Sequence, residues 1–196
     1  MYKAPCALFI IVMIIVVLVY VKKKPSPDNE QSRVRIHGHA YSVNSGSGHE
    51  HSRAAMLHAM HMKNDKLVKY LRKHATRDQR MKRLVKKMTT SPPILREVES
   101  SINQAGYSEN KGDVVAICLS DDKVKMNDLY FVMLHELAHI ANSSWGHDSS
   151  FWSCFDTLIR YAREAGLYKP TNYEKDPKSI CGKLINHQPF STTDGN

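Results

Sequence analysis

The chain has 196 residues, 42% of them apolar, and its 28 Lys and Arg outweigh 19 Asp and Glu to give a formal net charge of +9. That is the size of one domain with appendages, and the apolar content excludes disorder throughout. Four cysteines without a C-x-x-C pair exclude a disulfide scaffold or a cysteine-rich zinc finger, and no G-x-x-x-x-G-K-[ST] or G-x-G-x-x-G supports a nucleotide-binding loop.

Residues 4–21 (APCALFIIVMIIVVLVYV) carry no charge. As a helix rising about 1.5 Å per residue, such a run spans roughly the hydrocarbon core of a bilayer. Lys3 precedes it, Lys22, Lys23 and Lys24 follow it, and Tyr20 stands where an interfacial aromatic belongs. The sequence after it is a poor signal-peptide cleavage site, so the expectation is an uncleaved transmembrane anchor over residues 1–24. The three lysines place the rest of this single-pass protein on the cytosolic side. There Cys118, Cys154 and Cys181 are expected as reduced thiols. The sequon Asn142-Ser143-Ser144 would report the opposite topology by carrying a glycan.

Residues 25–53 read as a flexible linker, interrupted by Pro25, Pro27, Gly38, Gly46 and Gly48. Two H-x-H pairs lie in it, His37 with His39 and His49 with His51. A metal-binding tract is one reading. Polar loop histidines are the preferred one, because no ordered scaffold is expected to hold them at a metal. From residue 54 to 88, Leu67, Val68, Leu71, Leu84, Val85 and Met88 recur at helical spacing, with a break expected near Thr76 to Asp78. Residues 63–87 hold eleven Lys and Arg and only Asp65 and Asp78 as acids, so the whole excess charge sits here. A solvated face, contact with an anionic membrane or acidic protein, and nucleic-acid binding all fit such a run.

Strands are expected over residues 94–98 and 113–119, with Asn110-Lys111-Gly112 as a turn before the second. A helix is expected from Asn127 or Asp128 to about Asn142, and another from Asp148 to before Gly166 with Phe151, Phe155, Leu158 and Ile159 as its apolar stripe. From Lys169 onward the sequence reads as loop, with residues 186–196 as a tail.

The first of these helices contains His135-Glu136-Leu137-Ala138-His139, an H-E-x-x-H motif. Histidines four apart share one helix face, so both imidazoles reach one metal ion. Glu136 lies off the metal and close enough to take a proton from a metal-activated water. A catalytic zinc site needs a third protein ligand, and His147 follows a turn at residues 142–146. Asp148 is placed to orient an imidazole. Tyr161 and Tyr168 qualify as oxyanion donors by residue type only, and packing or surface tyrosines are the preferred reading of both, while Cys154, Cys181 and His187 read as uninvolved.

The motif, followed by Gly146-His147-Asp148 and Phe151-Trp152, resembles the zinc centre of WLM-type metallopeptidases, relatives of the SprT/Spartan group. The resemblance runs over about residues 55–185. It includes Leu95-Arg96-Glu97, Asn110-Lys111-Gly112, residues 165–169 and Ile180-Cys181-Gly182, and is greatest to metallopeptidase-like proteins of large DNA viruses. It implies a small α+β zincin-like domain over residues 54–185, with Zn2+ on His135, His139 and His147 and Glu136 as catalytic base. One departure is the seven-residue link from His139 to His147, longer than is usual in the family. Cellular relatives cleave proteins crosslinked to DNA, a role that a membrane anchor does not suit.

The expectation is therefore a membrane-anchored zinc endopeptidase acting on a protein or peptide. A non-enzymatic viral membrane protein with a structural zinc, and a nucleic-acid-directed protease using residues 63–87, are the alternatives. Glu136 favours the enzyme, since a purely structural site does not need that carboxylate.

Overall fold

The computed structural model describes residues 30–120 and 123–189. The chain first makes a hairpin of β1 (Gln31–Ile36) and β2 (His39–Asn44). His37 and Gly38 form its turn, both with positive φ (47° and 85°), as a two-residue turn between right-twisted strands demands. Helix α1 (Glu50–His74) follows, burying Leu57, Met60, Leu67 and Leu71 along one face. Its end at Ala75 and the start of α2 (Gln79–Thr90) form the expected break, where Asp78 Oδ1 accepts from the backbone N–H of Arg80 and Met81. Three short strands come next, β3 (Ile94–Glu97), β4 (Gly106–Glu109) and β5 (Val114–Ile117). Helices α3 (Met126–Ala141) and α4 (Ser149–Glu164) precede a second hairpin of β6 (Lys178–Ile180) and β7 (Lys183–Ile185).

The main sheet has the order β1-β2-β3-β5-β4. Strands β2, β3 and β5 run parallel, and β1 and β4 close the two edges antiparallel. Helix α3 is apolar on nearly every side, with Leu129, Phe131, Met133, Leu134, Leu137 and Ile140 all buried. Such a helix is stable only inside a core, and here α2, α4 and the sheet surround it. Edge strand β4 comes so close to it that a Cβ on Gly106 would stand 2.7 Å from Val132 Cγ1.

Several expectations need correction. Among the described residues no helix is long and apolar enough to cross a membrane. The fold is therefore a mixed α+β domain with four helices among the described residues, and the fold class led by a transmembrane helix, with its single-pass location, is withdrawn. Residues 4–21, on which the anchor was expected, lie outside the described residues. Residues 31–44 are not linker. They supply two strands of the sheet, because Tyr41 and Val43 alternate inward and add to the core. The loop expected after Lys169 contains the β6–β7 hairpin, too short and too polar to show an alternating pattern. Cys118 and Cys181 are not thiols: they form a disulfide between the end of β5 and the tip of that hairpin, their Cα atoms 6.3 Å apart. Cys154 is free and buried.

Part of the basic run serves packing. Lys63 Nζ donates to the Leu167 carbonyl, Arg83 to the Ala141 carbonyl and Arg80 to Ser153 and Thr157, while Lys87 pairs with Asp113. Lys66, Lys69, Arg72, Lys73, Arg77, Lys82 and Lys86 are exposed.

Candidate metal centre

His135 and His139 project from one face of α3, and the turn after it brings His147 to them. The three Nε2 atoms form a nearly equilateral triangle with sides of 3.2, 3.1 and 2.9 Å. Neutral imidazoles cannot satisfy one another in this arrangement, because a ring nitrogen is either a donor or an acceptor. Three converging lone pairs suit a cation. In a tetrahedral zinc site with metal–nitrogen distances near 2.0–2.1 Å, ligand nitrogens stand about 3.3 Å apart. The triangle fits that spacing, so the donor set matches zinc in number, type and size.

The imidazoles are also held in the ligand state. Burial pushes His135 down to about 3, helped by the neighbouring His139 and His147. Burial and His147 push His139 down to about 4. Both rings are therefore neutral at pH 7. Phe151 and Phe155 wall the group, with Phe151 stacked on His139 at 4.3 Å between ring centroids.

The loop that carries His147 is braced from outside. The turn at Asn110, Lys111 and Gly112 has positive φ at all three residues (47°, 57° and 99°) and aims Lys111 under the end of α3. Lys111 Nζ donates to the carbonyls of His139 (3.3 Å), Asn142 (3.2 Å) and Ser144 (2.5 Å), and lies 4.4 Å from the centre of the Trp145 ring. A cation at a helix C-terminus satisfies carbonyls that the helix leaves open. At Gly112 a Cβ would meet Ile140 Cδ1 at 2.6 Å, so the turn approaches the helix only because this residue has no side chain. Asn142 is 3% exposed and its amide donates to Ser144 and Ser150 Oγ, so the sequon is folded into this loop. Asp148 is the N-cap of α4, accepting from Phe151 N (2.9 Å) and Ser150 Oγ (2.7 Å). It fixes the first turn of α4 beside His147 rather than the imidazole itself.

Glu136 is 5% exposed on the cavity side of α3. Burial pushes its carboxyl up to about 7, against the opposing effect of a hydrogen bond with Ser108 of β4. A carboxyl in that range exchanges a proton readily at neutral pH.

These groups line a cavity of about 630 Å3, within the usual size of ligand sites. Its walls are β4, α3, the loop with Trp145 and His147, Trp152 of α4, and residues 183–187 after the β6–β7 turn. Tyr161 and Tyr168 do not line it. His187, set aside in the sequence, does, with its ring 5.6 Å from Trp152 and its Nδ1 3.8 Å from Glu174. No local motif marks His187 or Lys111. Long-range turns bring both to the site, and only the unusual Asn-Lys-Gly turn was visible beforehand.

The family model described as the WLM domain matches residues 49–194. Among curated proteins, the chain is similar to an uncharacterised protein of Acanthamoeba polyphaga mimivirus, 29% identical over 124 residues, covering 55% of this chain and 63% of that protein. Uncharacterised proteins of invertebrate iridescent virus 6 and invertebrate iridescent virus 3 are 30% and 36% identical, covering 43% and 35% of this chain and 50% and 45% of theirs. The matched region thus spans less than two thirds of each of these relatives. No solved structure matches the chain.

Proposed function

The chain belongs to the WLM domain family, and on that premise we propose that it is a zinc-dependent peptidase hydrolysing peptide bonds in a protein or peptide. The observation that carries this reading is a buried carboxyl beside three converging imidazoles in one open cavity. His135, His139 and His147 would hold the metal. When bound there, zinc supplies an electrophile for the scissile carbonyl and lowers the pKa of water.

The remaining work falls to the chain. Glu136 takes the proton of the attacking water and passes it to the leaving amine, the two transfers that a carboxyl buried beside the three imidazoles is placed to make. Strand β4 is an edge with its outer backbone groups turned from the sheet, and Gly106, Tyr107 and Ser108 line the cavity. An extended peptide pairs with such an edge through main-chain hydrogen bonds and fixes its scissile bond over Glu136. Trp145 and Trp152 offer apolar walls for side chains, and His187 borders the same cavity.

The test uses the whole chain, since residues 31–44 are part of the sheet. Zinc is counted by elemental analysis in the wild type and in Glu136→Gln, and both are assayed on an unfolded protein. Tight zinc in both, with cleavage only in the wild type, is expected. Cleavage retained by Glu136→Gln, or no tight zinc in the wild type, would overturn the reading.

A further inference from the structure

A second group of histidines lies away from the cavity, where the β1–β2 turn meets α1. His58 and His61 are one turn apart on α1 and both point at Tyr41 of β2, whose hydroxyl is 3.1 Å from each Nδ1. His39 stands over them, 4.5 Å from His61 and 5.7 Å from His58 between ring centroids, and His37 is 5.2 Å from His58. We propose that His39, His58 and His61, with His37 at the rim, form a second binding site for a divalent transition-metal ion that favours imidazole, of the Zn2+ or Cu2+ class.

Tyr41 does the orienting. A hydroxyl oxygen has lone pairs enough to accept from both Nδ1–H groups, which leaves both Nε2 lone pairs for an ion. A ligand histidine characteristically has its other nitrogen fixed in this way. Tyr41 is 2% exposed and burial pushes its hydroxyl up to about 12, so it stays neutral. Burial lowers both His58 and His61, helped by the neighbouring histidines and, at His61, against the opposing effect of Asp65; the lowering favours the neutral, metal-binding form. Asp65 Oδ2 lies 3.7 Å from His61 Nε2 and supplies negative charge beside the site.

In the cavity the three ligand rings stand 4.8–4.9 Å apart. The second group is looser, with His58 and His61 6.4 Å apart and His37 and His39 exposed on the turn, so an ion would have to draw the rings together. The second site should therefore bind more weakly than the first.

The experiment is a chelator-buffered Zn2+ titration of the full chain, with stoichiometry and affinity read together. The wild type should take a tight equivalent and then a weaker one. His58→Ala with His61→Ala should abolish only the weaker, and the exposed change His39→Asn, which leaves the fold intact, should weaken it at least ~10-fold. After the tight site is filled with zinc, one equivalent of Cu2+ should show nitrogen hyperfine structure in its electron paramagnetic resonance spectrum, lost in the double variant. A single equivalent in the wild type, or a second one indifferent to His39, His58 and His61, would overturn the proposal. Because His139→Ala removes the tight equivalent alone, failure of the peptidase reading and failure of this one give different titrations.

Discussion

The triad is set on one helix, α3, and a loop held by Lys111, whereas the turn cluster sets two exposed rings over one face of α1. Both use histidines at helical spacing plus rings from a neighbouring turn. The triad holds its ring centroids 4.8–4.9 Å apart, while the cluster leaves those of His58 and His61 6.4 Å apart. The difference is preorganisation. At the triad, folding has already met the cost of gathering the ligands, through the buried α3, the cap on α4 and the disulfide near the cavity wall. At the cluster, the ion must gather them itself.

The sharpest way to break this contrast is to remove one triad ligand. His139→Ala should weaken the tight zinc by more than the ~10–100-fold that losing a supporting partner costs, and abolish cleavage. Chelator competition reads the affinity. Tight zinc surviving this change would place it elsewhere and dissolve the comparison. The next effect concerns the wall itself. The bond from Cys118 to Cys181 closes a loop of sequence separation 63 and carries the hairpin beside Lys183, Leu184 and His187. On chain-entropy grounds, Cys118→Ser with Cys181→Ser should lower stability by up to about 4 kcal/mol, read as a lower urea midpoint. An unchanged midpoint would show that the hairpin is held by packing alone.

A third prediction uses pH in the zinc-free protein. The carboxyl of Glu136 rises from 4.5 unfolded to about 7 folded. Between those values the folded state keeps a proton that the unfolded chain has lost, so stability falls as pH rises through this window, by about 3 kcal/mol in all. His135 and His139 act in the other sense, since their lowered values make stability rise with pH up to their unfolded value of 6.5. The contrast between wild type and Glu136→Gln isolates the carboxyl. With a chelator present, the variant should gain on the wild type from pH 4.5 to 7 and hold a constant lead above that. Parallel stability curves would mean that Glu136 is not buried as a carboxyl.

Much of the triad was readable because its information is local. The four-residue spacing, the apolar residues around it and a histidine beyond a turn are all written within residues 132–147. The breaks at Asp78 and Asp148 were equally local, each being the carboxylate that caps a helix. What escaped was non-local. Residues 31–36 of β1 carry Arg33, Val34 and Arg35 in an edge strand that buries only Ile36, so no alternation announced it. Strand β4 is four residues long and buries none of them fully. The disulfide depends on where β5 ends relative to a hairpin far along the chain, which no spacing of cysteines reveals. The turn cluster was missed for the same reason, since its histidines come from two segments that meet only when β2 lies against α1.

The smallest expected effect tests whether ligand placement, rather than general stability, sets zinc affinity. Two aspartates cap two helices in the same way. Asp78 Oδ1 accepts from Arg80 N and Met81 N at the start of α2, and Asp148 Oδ1 accepts from Phe151 N at the start of α4. Asp78→Ala and Asp148→Ala should each lower the urea midpoint slightly, since each leaves helix N–H groups without their acceptor. Only Asp148 adjoins a ligand. Its loss lets the backbone at His147 swing, so Asp148→Ala should weaken tight zinc by a few-fold, less than the ~10-fold or more that losing a partner bonded to the imidazole itself costs. Asp78→Ala should leave the affinity unchanged. Equal loss of zinc in both variants would show that the triad draws its preorganisation from the whole domain and not from the cap beside its third histidine.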